Sequence, residues 1–245
     1  YRVGASRMRL DLRLKADCPW LELIVSVDWC QRHELLRLDI PLASAAVSLA
    51  ADTSGGVLER PAHPETPGEQ ERREAPAISW LASQAKAPGG GIAVLLDGPQ
   101  GVDGATDRLG VSLLRGATWP DPSADQGQQR MRLALMPFQG SWAHAAVPQA
   151  AIAFREPGWH GPIAAGQHQA SMGTCCWLPA IPRRLCPIAL RPDANGVVLQ
   201  LLNPGASRCR WQPGAGWKVG RSVAADDWVE LAPGELVELR LAQSS

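Results

Sequence analysis

Two runs near the start decide the fold class: Met8-Arg9-Leu10-Asp11-Leu12-Arg13-Leu14 and Leu21-Glu22-Leu23-Ile24-Val25-Ser26-Val27-Asp28-Trp29. The first alternates apolar and charged residues without a break. Successive side chains of a strand point to opposite faces, so this period of two places Met8, Leu10, Leu12 and Leu14 on one side. Cys18-Pro19-Trp20 reads as a turn, which makes the second run the hairpin neighbour of the first. Working outward, Glu34 to Leu42 and Val47 to Ala50 are further strands. Ile92 to Leu96 is a continuous apolar run suited to a strand buried on both faces, and Leu109 to Arg115 and Arg130 to Met136 follow. Ala150 to Phe154 closes the block.

Between these runs, Glu59 to Ala77 reads as one long polar loop, a length that compact domains tolerate mainly where a loop has a function. Ile78 to Ala85 reads as a short helical turn or irregular packing segment. The composition shifts after Glu156. Pro, Gly and Ala dominate from Pro157 to Pro187, and strands resume at Ile188 to Leu190 and Val197 to Leu202. Trp228 to Leu231 and Leu236 to Leu241, flanking Pro233-Gly234, read as a terminal hairpin. The expected organisation is a large β-sandwich over residues 1–160, a linker or crossover over 161–187 and a small β domain over 188–245.

Composition excludes several functions. Lys+Arg and Asp+Glu balance at 24 each among 245 residues, so the surplus positive charge that draws proteins to nucleic acid or anionic lipid is missing. No apolar run approaches the roughly 18 residues of a spanning helix. Neither nucleic acid nor membrane is therefore an expected partner. The opening Tyr1-Arg2-Val3-Gly4 has no Met and reads as an internal cut. Six cysteines without a C-x-x-C pair, in a chain too long to need stapling, are expected to be reduced thiols of a cytoplasmic protein. Cys175-Cys176 with His160 and His168 lacks zinc-ligand spacing, and no metal is expected in this chain. Ten Trp stand against one Tyr and two Phe; sugar sites use exposed indole faces, but buried Trp is the commoner use.

A complete catalytic constellation is not legible. There is no nucleophile elbow, phosphate loop, dinucleotide fingerprint or H-E-x-x-H helix. The five histidines (His33, His63, His144, His160 and His168) read as surface or loop-tethering residues. Acidic residues do cluster in loops: Asp97, Asp103 and Asp107, then Asp121 and Asp125. Paired carboxylates can serve glycoside hydrolysis, but acidic residues are also ordinary turn formers. Spacing alone does not make them a catalytic pair.

A more specific signal lies in a series of collinear segments. Val27-Asp28-Trp29-Cys30-Gln31-Arg32-His33-Glu34-Leu35-Leu36-Arg37 resembles the V-D-W-x-E-R-H-x-L-L-K stretch of glycoside hydrolase family 38 α-mannosidases. Val57 to Thr66 is similar to the family's G-x-L-E-R-P-T-H-x-N-T, and Glu74-Ala75-Pro76-Ala77 with Trp80 to E-V-P-A-x-x-W. Gly91 to Gly101 matches G-x-A-L-L-N-D-x-K-Y-G in part. Leu113-Leu114-Arg115, followed by Pro120 to Gly127, is similar to L-L-R-x-P-x-x-P-D-P-E-A-D-x-G. Ala134 to Trp142 resembles Y-A-L-x-P-H-x-G-x-W, and Leu231 to Leu241 resembles A-P-x-E-I-x-T-L-R-L. Seven segments in order carry more weight than any one of them. The likeness is to the bacterial and cytosolic branch.

The resemblance implies an all-β region: a galactose-mutarotase-like sandwich (a supersandwich) followed by a small β domain. In the family this region packs on an N-terminal catalytic domain, where a zinc ion and an Asp nucleophile act on the α-mannoside. Those motifs are not in this chain, so no catalytic residue and no cofactor is assigned to it. The resemblance also singles out Asp97, Gly101, Arg115, Asp121 and Asp125 as possible cleft-rim residues. A simpler role for Arg115, Asp121 and Asp125 is to pair and order their own loop. Leu96, Gln100 and Phe138 stand where the family has Asn, Tyr and His, and Cys30 and Gln31 replace its usual polar pair. A free-standing carbohydrate-binding or structural sandwich, and a degenerate homologue without activity, are the other readings.

Overall fold

The computed structural model describes residues 1–54, 56–71, 74–86, 89–156, 178–194, 196–213, 217–220 and 228–243. It divides into two compact units, Tyr1–Arg155 and Glu156–Ser245. The expected linker falls mostly outside the described residues, as do His160, His168, Cys175 and Cys176.

The first unit contains twelve strands and two helices among the described residues. In chain order these are β1 (Arg2–Val3), β2 (Ser6–Leu14), β3 (Leu21–Trp29), β4 (Leu36–Pro41), β5 (Ala46–Thr53), β6 (Gly56–Pro61), α1 (Pro67–Glu71), β7 (Ala75–Pro76), β8 (Trp80–Ala85), β9 (Gly90–Asp97), β10 (Gly101–Gly104), β11 (Arg108–Leu114), β12 (Gly127–Gln139) and α2 (Val147–Arg155). Eight strands form one sheet, in the order β1-β2-β3-β12-β9-β8-β5-β6, and four form a second, β4-β11-β10-β7. The opening hairpin forms as the alternation predicts, with Leu10 opposite Val25 and Leu14 opposite Leu21.

The core lies between the sheets. Leu23, Val25, Leu81, Val94, Leu96 and Leu133 of the large sheet meet Ile40, Val102, Leu109 and Val111 of the small one. Four strands cannot cover eight. Met8 and Leu10 pack on this core, but Leu12 and Leu14, on the same face of β2, are exposed. The opposite face of the large sheet holds a second core, in which Trp80, Leu95, Ala134 and Met136 lie against Trp142, Val147, Ala151 and Phe154. Trp80 and Trp142 stack at 5.1 Å between centroids.

Three expectations change here. Ile78–Ala85 is not helical or irregular: β8 runs through it, between β9 and β5. Its neighbouring residues feed opposite cores, Leu81 the first and Trp80 and Ala82 the second. A strand buried on both sides has no polar alternation to betray it. Residues 59–77 are also not one loop, since β6 ends there and α1 and β7 follow. A reciprocal cap starts α1, with Thr66 Oγ1 accepting from Glu69 N at 3.3 Å and Glu69 Oε2 from Thr66 N at 3.1 Å. Ala150–Phe154, finally, belongs to α2.

The second unit contains β13 (Cys186–Asp193), β14 (Gly196–Leu202), β15 (Cys209–Trp211), β16 (Trp217–Gly220), β17 (Val229–Leu231) and β18 (Leu236–Gln243). They form a sheet β13-β14-β18-β16 and a pair β15-β17 over a core of Leu199, Leu201, Trp211, Leu231 and Leu239. The expected terminal hairpin is therefore absent. β17 pairs with β15 and β18 with β14, so the Pro233-Gly234 turn joins strands of two different sheets. Asn203 fixes that turn: its Nδ2 lies 2.9–3.1 Å from the carbonyls of Ser207, Leu231 and Ala232.

The fold is all-β, as expected. Cys18, Cys30 and Cys209 are free thiols. No helix of the described residues is long and apolar enough to cross a membrane.

Candidate cleft-rim surface

The first unit's two sequence-nominated loops meet at one end of the small sheet. In β11, two residues oppose one of β4 between Ser112 and Leu114, a bulge that re-aims the chain as it reaches Arg115. Main-chain atoms then tie the loop after β11 to the loop after β3. His33 N donates to Gly116 O at 2.8 Å. Asp125 Oδ2 accepts from Arg115 N at 2.8 Å and Gly116 N at 3.0 Å, and Gln126 Nε2 donates to Gln31 O at 2.8 Å. Gly116 has φ +60, and a Cβ there would lie 2.6 Å from Gln31 O and 3.0 Å from Trp29 Nε1. Only glycine fits that approach.

This stitching leaves side chains outside it. Among the described residues the Arg115 guanidinium has no hydrogen bond or ion pair. It lines a concavity of about 340 Å³ with His33, Glu34, Leu35, Thr118 and Trp119. A neighbouring concavity of about 520 Å³ shares Leu35 and Arg115 and adds Glu74, Ser112 and Asp125. Thr118 Oγ1 is 3.2 Å from His33 Nε2, so His33 tethers a loop, as its sequence setting suggested. Ser112 Oγ donates to Glu74 Oε1 at 2.6 Å. Gly101 makes room for that contact, because a Cβ there would come 3.2 Å from Ser112 Cβ and 3.5 Å from Glu74 Oε1.

Further along the same outer face, Arg37 and Arg108 share Asp103. Arg108 Nη2 is 3.1 Å from Asp103 Oδ2, and its Nη1 is 3.2 Å from Asp39; Arg37 donates to Asp103 Oδ1. Burial pushes the Asp103 carboxyl up, but the hydrogen bonds from Arg108 and Arg37 outweigh it and hold the group below its ordinary value.

The five nominated residues do not converge. Gly101, Arg115 and Asp125 sit around the groove. Asp121 lies further along the same loop, where Ser123 Oγ and N donate to its Oδ1 at 2.7 and 2.8 Å and keep its carboxyl low. Asp97 is elsewhere: its Oδ2 takes Arg132 Nη1 at 3.0 Å on the α2 face of the large sheet. Of the simpler roles, Asp121 and Asp125 do order their loop, through Ser123 and the main chain rather than by pairing with the Arg115 guanidinium. Leu96 and Phe138, at family-variant positions, belong to the first and second core. Sequence reasoning missed Trp119, which falls at an unspecified place in the R-x-P-x-x-P-D pattern.

Residues 1–123 match the model of the glycosyl hydrolases family 38 C-terminal domain. Alpha-mannosidase 2C1 of Homo sapiens is 32% identical over 152 residues, 62% of this chain and 14% of that protein. Alpha-mannosidase G of Dictyostelium discoideum is 30% identical over 122 residues, 50% of this chain and 11% of that protein. The chain thus spans about one seventh or less of the curated relatives it matches. An alpha-mannosidase structure from Enterococcus faecalis V583 superposes with a TM-score of 0.78 at 14% identity, covering 96% of this chain and 29% of that one. At that identity the likeness shows the fold alone. From the matched family model, the collinear motifs and the two-sheet fold it follows that this chain belongs to glycosyl hydrolase family 38, through that family's C-terminal domain.

Proposed function

We propose that the chain is a non-catalytic region that packs on the catalytic domain of the same polypeptide and contributes part of its cleft rim, in an enzyme that hydrolyses α-mannosides with retention. The carrying observation is the groove at the end of the small sheet. Main-chain bonds fix its two motif loops while Arg115 stays unengaged among the described residues, an arrangement suited to meeting a ligand without the cost of ordering the loop backbone. An Arg fork there can take vicinal sugar hydroxyls or a carboxylate bidentately. Leu12 and Leu14 support the packing half of the reading, since they continue the core face past the small sheet and leave apolar surface for another domain to cover.

Zinc belongs, on this reading, to the catalytic domain; among the described residues no three His, Cys, Asp or Glu gather to hold a metal. The free thiols are in keeping with a cytoplasmic location.

The test compares two proteins. The 245-residue chain is expected not to hydrolyse an aryl α-mannoside, with or without zinc, while the full-length polypeptide does. In the latter, Arg115→Ala is expected to raise KM several-fold. Turnover by the chain alone that is lost on changing Asp97 or Asp125 would overturn the assignment. The exposed indole of Trp119 favours a second reading, a free-standing carbohydrate-binding module. Glycan-array binding by the chain with an inactive full-length polypeptide would select it.

A further inference from the structure

Buried tryptophans are explained by the cores: Trp29, Trp80, Trp142 and Trp211 are each 6% exposed or less. Trp119 is not. It is 84% exposed, and it lines the groove beside Arg115, Glu34 and His33. The matching family motif leaves its position unspecified, so the loop does not need an indole to hold its path. That path is set by Gly116, Asp125 and the tie between Thr118 Oγ1 and His33 Nε2 at 3.2 Å. A large apolar ring kept in water next to charged groups is the composition of a ligand site rather than of a loop anchor.

We propose that Trp119 is a stacking platform for a second pyranose ring of the substrate, beyond the mannose being released, so that the enzyme prefers α-mannosides whose aglycone is itself a sugar. A pyranose has an apolar C–H face and hydroxyls around its edge. The indole takes the face. Arg115 and Glu34, on the walls of the same concavity, are placed to take edge hydroxyls by charge-assisted bonds. The inference rests on the cleft-rim reading above and adds the substrate class.

The test is the ratio of kcat/KM for α-linked mannobiose to that for methyl α-mannoside, measured in the full-length polypeptide. Trp119→Ala is expected to lower that ratio roughly tenfold, equivalent to about 1.4 kcal/mol. Trp119→Phe, which keeps a smaller stacking face, is expected to restore part of it. An unchanged ratio overturns the platform, as does a fall in the enzyme's thermal midpoint without a change in the ratio, which would make Trp119 a domain-docking residue. Arg115→Ala separates the two failures. If it raises KM on both substrates while Trp119→Ala leaves the ratio alone, only the platform falls. If both variants leave KM on both substrates untouched, the rim reading falls with it.

Discussion

Beneath α2, Arg132 lies between Glu22 and Asp97, 3.0 Å from each, with its guanidinium 4.7 Å from the centre of the Phe154 ring. On the outer side of the small sheet Arg37 and Arg108 lie about Asp103 and Asp39, using the same residue types and similar distances. The surroundings differ. Arg132 also reaches Phe154 O at 3.4 Å, so its ion pairs fasten the helix to the sheet. The hydrogen-bonded pairs around Asp103 join β4, β10 and β11 of the one small sheet and stiffen an open face, next to a groove in which Arg115 is unengaged among the described residues. The two aromatics follow the same division. Trp142 stacks in the second core and donates Nε1 to Glu59 Oε1 at 2.8 Å, whereas Trp119 faces water. Similar side chains therefore serve cohesion on one side and presentation on the other.

Substitutions can break this contrast, and the effects should rank by burial. The largest is expected from Trp142→Ala, which removes an indole from the second core and strands the Glu59 bond; the loss in urea denaturation should be about 3–5 kcal/mol. Arg132→Ala leaves Glu22 buried, with Lys15 3.8 Å away as its remaining partner. Because Arg132 is about a third exposed, the cost should fall somewhat below the range for breaking a fully buried pair, at about 2–3 kcal/mol. Asp103→Asn keeps the shape but removes the charge shared by two arginines, at a cost of about 1–2 kcal/mol. Its pH dependence sharpens the comparison. The folded pKa of Asp103 is depressed, so its contribution is present above the unfolded value of about 3.9 and is lost as pH falls below it. The stability difference between wild type and Asp103→Asn should therefore close in acid. Trp119→Ala should change stability by less than about 0.5 kcal/mol, as expected for a surface site. A loss of several kcal/mol there would mean that Trp119 is a structural anchor.

β2 was legible because one of its sides meets water. β3 is buried on both sides over most of its length, but Glu22, Ser26 and Asp28 still mark its alternation, and the register of the two strands follows. β8 was not legible, because a run such as Trp80-Leu81-Ala82-Ser83 feeds one core with Leu81 and the other with Trp80 and Ala82. The last turn misled for a different reason. Pro233-Gly234 marks a reversal but carries no information about which sheet each flanking strand joins. Among site residues, motif order brought out Arg115 and Asp125 but also Asp97, whose side chain lies on the other side of the core from the groove. A motif records neighbours in sequence, and only the alternation of β9 and β12 decides which face a carboxylate takes. Trp119 gave no signal in a pattern that leaves its place blank.

The knot of main-chain bonds around Gly116 and Asp125 bears on how such a groove can change over time. Since the path of residues 115–126 is written in amides, two carboxylates, the Thr118 hydroxyl and one glycine, the side chains at positions 117 and 119 can be exchanged without rewriting it. New specificities can be sampled there while stability stays nearly constant. The loop is a setting into which different stones fit, and this chain carries a tryptophan in it.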